Sequence, residues 1–422
     1  MISRETSAVT TRPRQAVILA GGRGRRMRPF SDTAPKHMYR FNGRPLAHWL
    51  VEQLAEQGFE RVLFLLGYLP GATREYFSRD GFGTEIEYAV TPAGWETAAR
   101  LTDALPRLDE SFMLCYSDNY WPLQARRLCE PWLRSGALAQ LTVYANGDGF
   151  TRSNVEVEDG RIKRYDAARA SAGLAGVDIG YALVRRCVVE QLGGAAASEV
   201  SFQQAAYPEL AARGQLAAYV TGHRYYGVGD AGRLAAAGKF LARRPAVLVD
   251  RDGVLNRRPR LGEYVKSAGE WEWLPGACEA LARFHRAGYR VIVITNQAGV
   301  ARGEVTAEAL EAIHARLRSD VEAAGGRVEA IYCCPHHWDA GCACRKPRPG
   351  MLFQAQREFH LDLTRTWFLG DDARDAEAAE AAGCLYAEVS AHTPLASYAD
   401  AWLRHSSFEK PFEMEPTKCE LS

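Results

Sequence analysis

Ala246-Val-Leu-Val-Asp250-Arg-Asp252-Gly-Val-Leu-Asn256 is an apolar run of strand character that stops abruptly on two aspartates one residue apart, with a glycine directly after the second. Such a run delivers two carboxylates to the carboxyl end of a buried strand, the edge at which open α/β sheets keep their ligands. One carboxylate there can attack phosphorus or hold a metal, and the other can carry a proton. The same residues also suit a plain surface turn closed by Asp side chains. What lies on either side decides between the two.

Downstream, Val291-Ile-Val-Ile294 and Thr366-Trp-Phe-Leu369 read as further buried strands, and Thr306–Ala324 as a long helix. Upstream, Gln15-Ala-Val-Ile-Leu-Ala20 reads as a strand, followed by a helical stretch from Pro45 to Gln57 and a strand at Arg61–Leu66. Further strands are expected at Glu85–Val90, Ser111–Tyr116 and Leu141–Tyr144. Strands alternating with helices predict α/β architecture, here two doubly wound (Rossmann-like) domains with parallel sheets. The expected boundaries are a loose tail over 1–14, a first domain over 15–235, a linker over 236–245 ending at Pro245, a second domain over 246–395 and a C-terminal tail over 396–422. A length of 422 residues agrees with two or three domains rather than one core.

Three more pieces follow the aspartate pair in order. Thr295-Asn296-Gln-Ala-Gly299 closes the second strand with a hydroxyl, an amide and backbone N–H groups suited to phosphate oxygens. Arg345-Lys346-Pro-Arg-Pro-Gly350 offers cations for a phosphate and for charge developing in transfer. Phe368-Leu-Gly-Asp371-Asp372 ends another strand in acids that, with Asp250, suit Mg²⁺, a hard ion that prefers oxygen ligands. Singly these are a capped turn, a solvated loop and a helix cap. In this order, all at strand ends, they resemble the haloacid dehalogenase superfamily of aspartyl phosphatases. The resemblance implies that Asp250 is a nucleophile forming a phosphoaspartate and that Asp252 is the general acid/base. It also implies that Thr295 binds phosphate with Asn296 and Arg345 beside it, that Lys346 steadies the phosphoryl group, and that Asp250, Asp252 and Asp371 form the Mg²⁺ site.

Cys334-Pro-His336-His-Trp-Asp-Ala-Gly-Cys342-Ala-Cys344-Arg-Lys-Pro gathers three thiols and an imidazole into one loop, enough for a closed tetrahedral Zn²⁺ site of structural role. Cys333 and His337 are the spare candidates. The pattern resembles a subgroup that contains D-glycero-D-manno-heptose 1,7-bisphosphate 7-phosphatases and histidinol-phosphate phosphatases. Gln297-Ala-Gly-Val-Ala-Arg302-Gly303 looks like the heptose enzymes, and Arg302 would give a sugar bisphosphate a cation for its distal phosphate. Asp372 departs from the lysine often found there.

In the first half, Gly21-Gly22-Arg23-Gly24-Arg25-Arg26 follows the opening strand, with Pro35-Lys36 downstream. A Gly-rich turn lets backbone N–H groups approach a triphosphate, and Arg26 and Lys36 can screen its charge. This resembles the sugar-1-phosphate nucleotidyltransferases, with Asp118 at the position of a Mg²⁺-binding aspartate. Several positions depart from that family: Arg25 replaces a threonine, Trp95 and Glu96 bring bulk and charge to a loop usually small, a lysine is missing near Ala167, and Gly227 stands where a second metal aspartate belongs. Asp230 lies three residues further on. The fold is expected and turnover stays open.

A net formal charge of +1 gives no reason to expect nucleic acid or a membrane as partner, and the chain lacks a secretory pattern or a bilayer-spanning apolar run. Thiols clustered beside histidines rather than spread as a disulfide framework point to a reducing, cytoplasmic setting. The expected function is a Mg²⁺-dependent sugar bisphosphate phosphatase fused to a nucleotidyltransferase-like domain, in nucleotide-activated heptose synthesis. The expected partners are therefore a sugar phosphate and a nucleoside triphosphate or nucleotide sugar. The alternative is a histidinol-phosphate or other small phosphomonoester phosphatase whose first domain only binds a sugar nucleotide.

Overall fold

The computed structural model describes residues 11–78, 80–192, 199–260 and 262–404. The chain divides into two compact units between Ala242 and Arg243. The helix Ala231–Leu241 therefore closes the first unit rather than serving as a linker from residue 236. It buries Ala237, Phe240 and Leu241, and Phe240 stacks on Tyr226 with ring centroids 4.1 Å apart.

Unit 1 is built on nine strands: β1 (Gln15–Ala20), β2 (Arg61–Leu66), β3 (Glu85–Val90), β4 (Ser111–Tyr116), β5 (Ala139–Tyr144), β6 (Val155–Glu158), β7 (Arg161–Tyr165), β8 (Val177–Arg185) and β9 (Leu216–Thr221). Their order is β3-β2-β1-β4-β8-β5-β9-β7-β6. The first four run parallel, as expected, but β8 is antiparallel to both β4 and β5, so the sheet is mixed. β6 and β7 form an edge hairpin of four and five residues rich in charge, too short for a clear apolar pattern. The signal that could have found them is Asp159-Gly160 between the strands. Both residues have positive φ (47° and 71°), as a tight hairpin turn requires.

Unit 2 has five parallel strands: β10 (Ala246–Val249), β11 (Arg290–Asn296), β12 (Ala330–Cys334), β13 (Trp367–Gly370) and β14 (Leu385–Glu388), in the order β12-β11-β10-β13-β14. Neither β12 nor β14 was expected. β12 runs into the cysteine-rich loop, and β14 is only half-buried at a sheet edge. Alternate residues of each strand feed opposite cores, Val247 and Val249 on one face, Ala246 and Leu248 on the other. Such strands read as continuous apolar runs because helices cover both faces. Chain order reverses between β10 and β13, and the crevice beyond their carboxyl ends is where this fold binds ligands.

The tail expected from residue 396 begins as a helix, Leu395–Arg404. Its Tyr398, Ala399 and Trp402 are buried, and Trp402 packs 5.6 Å from Phe284 and 5.1 Å from Trp367. Burying such an aromatic is worth about 2–3 kcal/mol, enough to hold a short helix that would not form alone. Residues 1–10 and 405–422 of the two expected tails lie outside the described residues. Among the described residues no helix is long and apolar enough to cross a membrane.

Candidate active site

β10 hands the chain to Asp250 at its carboxyl end, and β13 does the same for Asp371 across the reversal point. Asp250, Asp371 and Asp375 converge, each offering a carboxylate oxygen within 4.8 Å of the others. Buried Lys346 ties this group together: Nζ lies 2.8 Å from Asp250 Oδ1 and 2.7 Å from Asp375 Oδ1, and it donates to the Ile294 carbonyl at 2.9 Å. A buried ammonium is tolerable only with such partners. Burial would lower the Lys346 pKa, but the two carboxylates outweigh it and hold it above lysine's ordinary value.

The acids are crowded. Burial pushes the Asp250 carboxyl up to about 7 against the opposing pull of Lys346. Burial, then the charge of Asp250, pushes Asp371 up to about 6. Asp371 Oδ1 is buried with no hydrogen-bond partner among the described residues. A hard divalent cation would satisfy that oxygen and relieve the repulsion, so the donor set fits Mg²⁺. Gly253 makes the approach possible. Its φ is +92°, and a Cβ placed there would lie 1.8 Å from Asp371 Oδ2.

The Asp252 side chain lies outside this group of three carboxylates. The fully buried Arg251 pairs with it at 2.9 Å, Asn256 Nδ2 donates to it at 2.9 Å and Gln297 Nε2 at 2.6 Å. Burial pushes its pKa up, yet these donors prevail and keep it below the usual carboxylate range. Gln297 also donates to the buried Thr295 hydroxyl at 2.9 Å, linking Asp252 to the end of β11. Asn296 clamps the Lys346 peptide from both sides: Nδ2 donates to its carbonyl and Oδ1 accepts from its N–H, each at 3.1 Å. Its side chain thus positions the lysine loop.

A cavity of about 620 Å³ opens over these groups and is lined by Asp250, Asp252, Thr295, Asn296, Arg302, Arg345, Lys346 and Asp371. Arg345 Nη1 is buried there without an acceptor among the described residues, which suits an anion. Arg302 is paired with Glu304 at 2.9 Å and lies near the Tyr264 and Trp338 rings, 5.8 and 5.5 Å from their centroids. Sequence reading missed Asp375, Arg251 and Arg258. Asp375 is the third residue of the helix Ala373–Ala382 rather than at a strand end, so the strand-end pattern did not point to it. Asp372 meanwhile caps the helix Ala373–Ala382 in a capping box with Asp375.

Beside this cavity, Cys334, His336, Cys342 and Cys344 bring their ligand atoms within 4.8 Å of one another. Neighbouring donors are 3.2 to 3.6 Å apart, close to the roughly 3.7 Å edge of a tetrahedron with 2.3 Å Zn–S arms. The spare candidates point elsewhere: Cys333 faces the Arg251–Asp252 side, and His337 pairs with Asp339 at 3.3 Å.

In unit 1, Gly21, Gly22, Gly24, Arg26, Lys36 and Asp118 line one cavity of about 420 Å³, together with Trp95 and Glu96. Lys36 Nζ holds Asp118 Oδ2 at 2.8 Å. Below the loop the buried Arg100 donates to the carbonyls of Leu66, Pro92, Trp95 and Gly21 and to the Thr91 hydroxyl. A Cβ on Gly21 would meet that guanidinium at 2.3 Å. Asp230 caps the helix Ala231–Leu241, accepting from Arg233 N at 2.9 Å, and the Asp166 carboxylate accepts four backbone N–H groups of its own loop. Among the described residues, both groups of three or more candidate metal ligands lie in unit 2.

Residues 180–383 match a family model described as haloacid dehalogenase-like hydrolase, and residues 16–150 match the MobA-like NTP transferase domain. The D-glycero-beta-D-manno-heptose-1,7-bisphosphate 7-phosphatase of Pseudomonas aeruginosa is 48% identical over 141 residues, 33% of this chain and 78% of that protein. A crystal structure of the D,D-heptose 1,7-bisphosphate phosphatase of Bordetella bronchiseptica, complexed with magnesium and phosphate, is 37% identical, covering 38% of this chain and 99% of that one at a TM-score of 0.36. HddC from Yersinia pseudotuberculosis is 19% identical, covering 54% of this chain and 99% of that one at a TM-score of 0.46. The chain is a fusion, belonging to the haloacid dehalogenase-like hydrolases as a phosphatase homologous to the heptose bisphosphate phosphatases, and carrying an NTP transferase domain ahead of that part.

Proposed function

We propose that unit 2 removes the 7-phosphate from D-glycero-D-manno-heptose 1,7-bisphosphate through a phosphoaspartate on Asp250. The reading is carried by the convergence of Asp250, Lys346 and Asp371 under a cavity in which Asp371 Oδ1 and Arg345 Nη1 lack partners among the described residues. The 48% identity to a heptose bisphosphate phosphatase supports the substrate. An Asp250 oxygen attacks phosphorus, the bond from phosphorus to the sugar oxygen breaks, and the leaving oxygen takes a proton from the Asp252 carboxyl. Water then attacks the phosphoaspartate, Asp252 accepts its proton, and phosphate departs with Asp250 restored. Held by Arg251, Asn256 and Gln297, Asp252 sits as a carboxylate, the state the second half requires. Before the first half it takes up a proton and loosens that grip. Lys346 and Arg345 orient the phosphoryl group, Thr295 adds a hydroxyl donor, and Arg302 stands at the cavity wall for the distal phosphate.

Asp250 and Asp371 would hold Mg²⁺, which supplies charge neutralisation between carboxylate and phosphate. Cys334, His336, Cys342 and Cys344 would hold a structural Zn²⁺ that stiffens the loop bearing Arg345 and Lys346. Phosphate release by the full chain from heptose bisphosphate, set against histidinol phosphate, tests the reading. A preference for histidinol phosphate would overturn the substrate, and release undiminished in Asp250→Asn would overturn the mechanism.

For unit 1 the reading is a site for a nucleoside triphosphate or nucleotide sugar. Binding without turnover is favoured because Asp118 is paired with Lys36 and Asp230 caps a helix. Pyrophosphate release from any of a panel of sugar 1-phosphates with nucleoside triphosphates would restore a catalytic role.

A further inference from the structure

Arg258 lies in the segment after β10 and lines the phosphatase cavity. Its Nη1 donates to Asp371 Oδ2 at 3.0 Å and its Nη2 to Asp372 Oδ2 at 2.6 Å. Arg374 grips Asp372 as well, with Nε donating to Oδ1 at 2.7 Å and Nη2 to Oδ2 at 2.9 Å. Asp371 Oδ2 is thus fixed by a guanidinium on one side and crowded by the Gly253 backbone on the other, while Oδ1 keeps its ligand capacity unused.

The geometry makes the arrangement more than a surface pair. Arg258 is a cation beside a site suited to a cation, so its charge opposes Mg²⁺ there and its hold on Asp371 is what can favour the ion. We propose that Arg258 is a positioning residue: its bond to Asp371 Oδ2 holds that carboxylate so that Oδ1 is presented to Mg²⁺. This rests on the reading of Asp250 and Asp371 as Mg²⁺ ligands.

The test uses the full-length protein stripped of divalent cations, with Mg²⁺ binding measured by calorimetry and the Mg²⁺ dependence of phosphate release measured beside it. Arg258→Ala is expected to weaken Mg²⁺ binding about tenfold and to raise the half-saturating Mg²⁺ concentration by the same factor. Arg258→Lys keeps an N–H donor for Asp371 and should stay within about threefold of wild type. The melting temperature of each variant is followed alongside. Wild-type or tighter Mg²⁺ affinity in Arg258→Ala would overturn the proposal and leave an exposed pair of negligible worth. Equal loss in Arg258→Lys and Arg258→Ala would overturn the hydrogen bond to Asp371 as its basis. Asp371→Asn separates the two readings: if it binds Mg²⁺ as wild type does, the metal assignment itself has failed.

Discussion

The two cavities use similar residues to different ends. Each lies past the carboxyl ends of parallel strands, and each contains glycine, lysine, arginine and aspartate. In unit 2 the lysine is buried between two carboxylates, and a third carboxylate retains an oxygen without a partner among the described residues. In unit 1 the lysine pairs with Asp118, and Asp230 closes a helix end. A fold brings residue types to a crevice, but only their pairing decides whether chemistry can follow.

The sharpest way to break that contrast is at Asp250, the proposed nucleophile. Asp250→Asn should lower phosphate release by about 10⁴–10⁶-fold, measured as turnover of the bisphosphate, with nucleotide binding by unit 1 unchanged in calorimetry. Residual turnover within tenfold of wild type would erase the distinction between the cavities. Next in size is the thiolate loop. Cys342→Ser should drop zinc from about one per chain to near zero by elemental analysis, and slow phosphate release about 10–100-fold by loosening the segment that carries Lys346. Full activity without zinc would detach the loop from catalysis.

In unit 1 the expected effects are structural. Arg100→Ala removes a buried guanidinium that joins five acceptors and should destabilise that unit by about 2–4 kcal/mol in denaturant titration, leaving phosphate turnover as it was. Asp230→Ala should cost about 1 kcal/mol, the worth of a helix cap, with nucleotide affinity unmoved. Loss of nucleotide binding in Asp230→Ala would make that residue a ligand and draw the two cavities back together.

What was legible in the sequence was what lies close along it. The strand ending on Asp250 and Asp252, the Thr295 and Lys346 segments and the four residues of the cysteine-rich loop are continuous strings, and their order at strand ends carries the resemblance that implies their roles. Asp375 and Arg258 were not legible as partners, because the first matters through Lys346 and the second through Asp371, more than 110 positions away. The hold of Gln297 on Asp252 was equally hidden, since it reaches across from the end of another strand. β8 was not expected as a strand, and its antiparallel run makes the sheet mixed, since apolar content alone carries no information about orientation. The helix Leu395–Arg404 escaped because its apolar face is confined to a few residues whose cover comes from Phe284 and Trp367.

Gly253 turns this geometry into a statement about heredity. The hydrogen of its Cα faces an aspartate oxygen so closely that the smallest side chain would displace the carboxylate. A saturation library at this codon, selected for phosphate release, should return glycine alone, whereas the neighbouring buried Val254 should accept isoleucine or leucine. Loss of glycine there in a diverging copy of the gene would mark the moment at which the phosphatase had been abandoned.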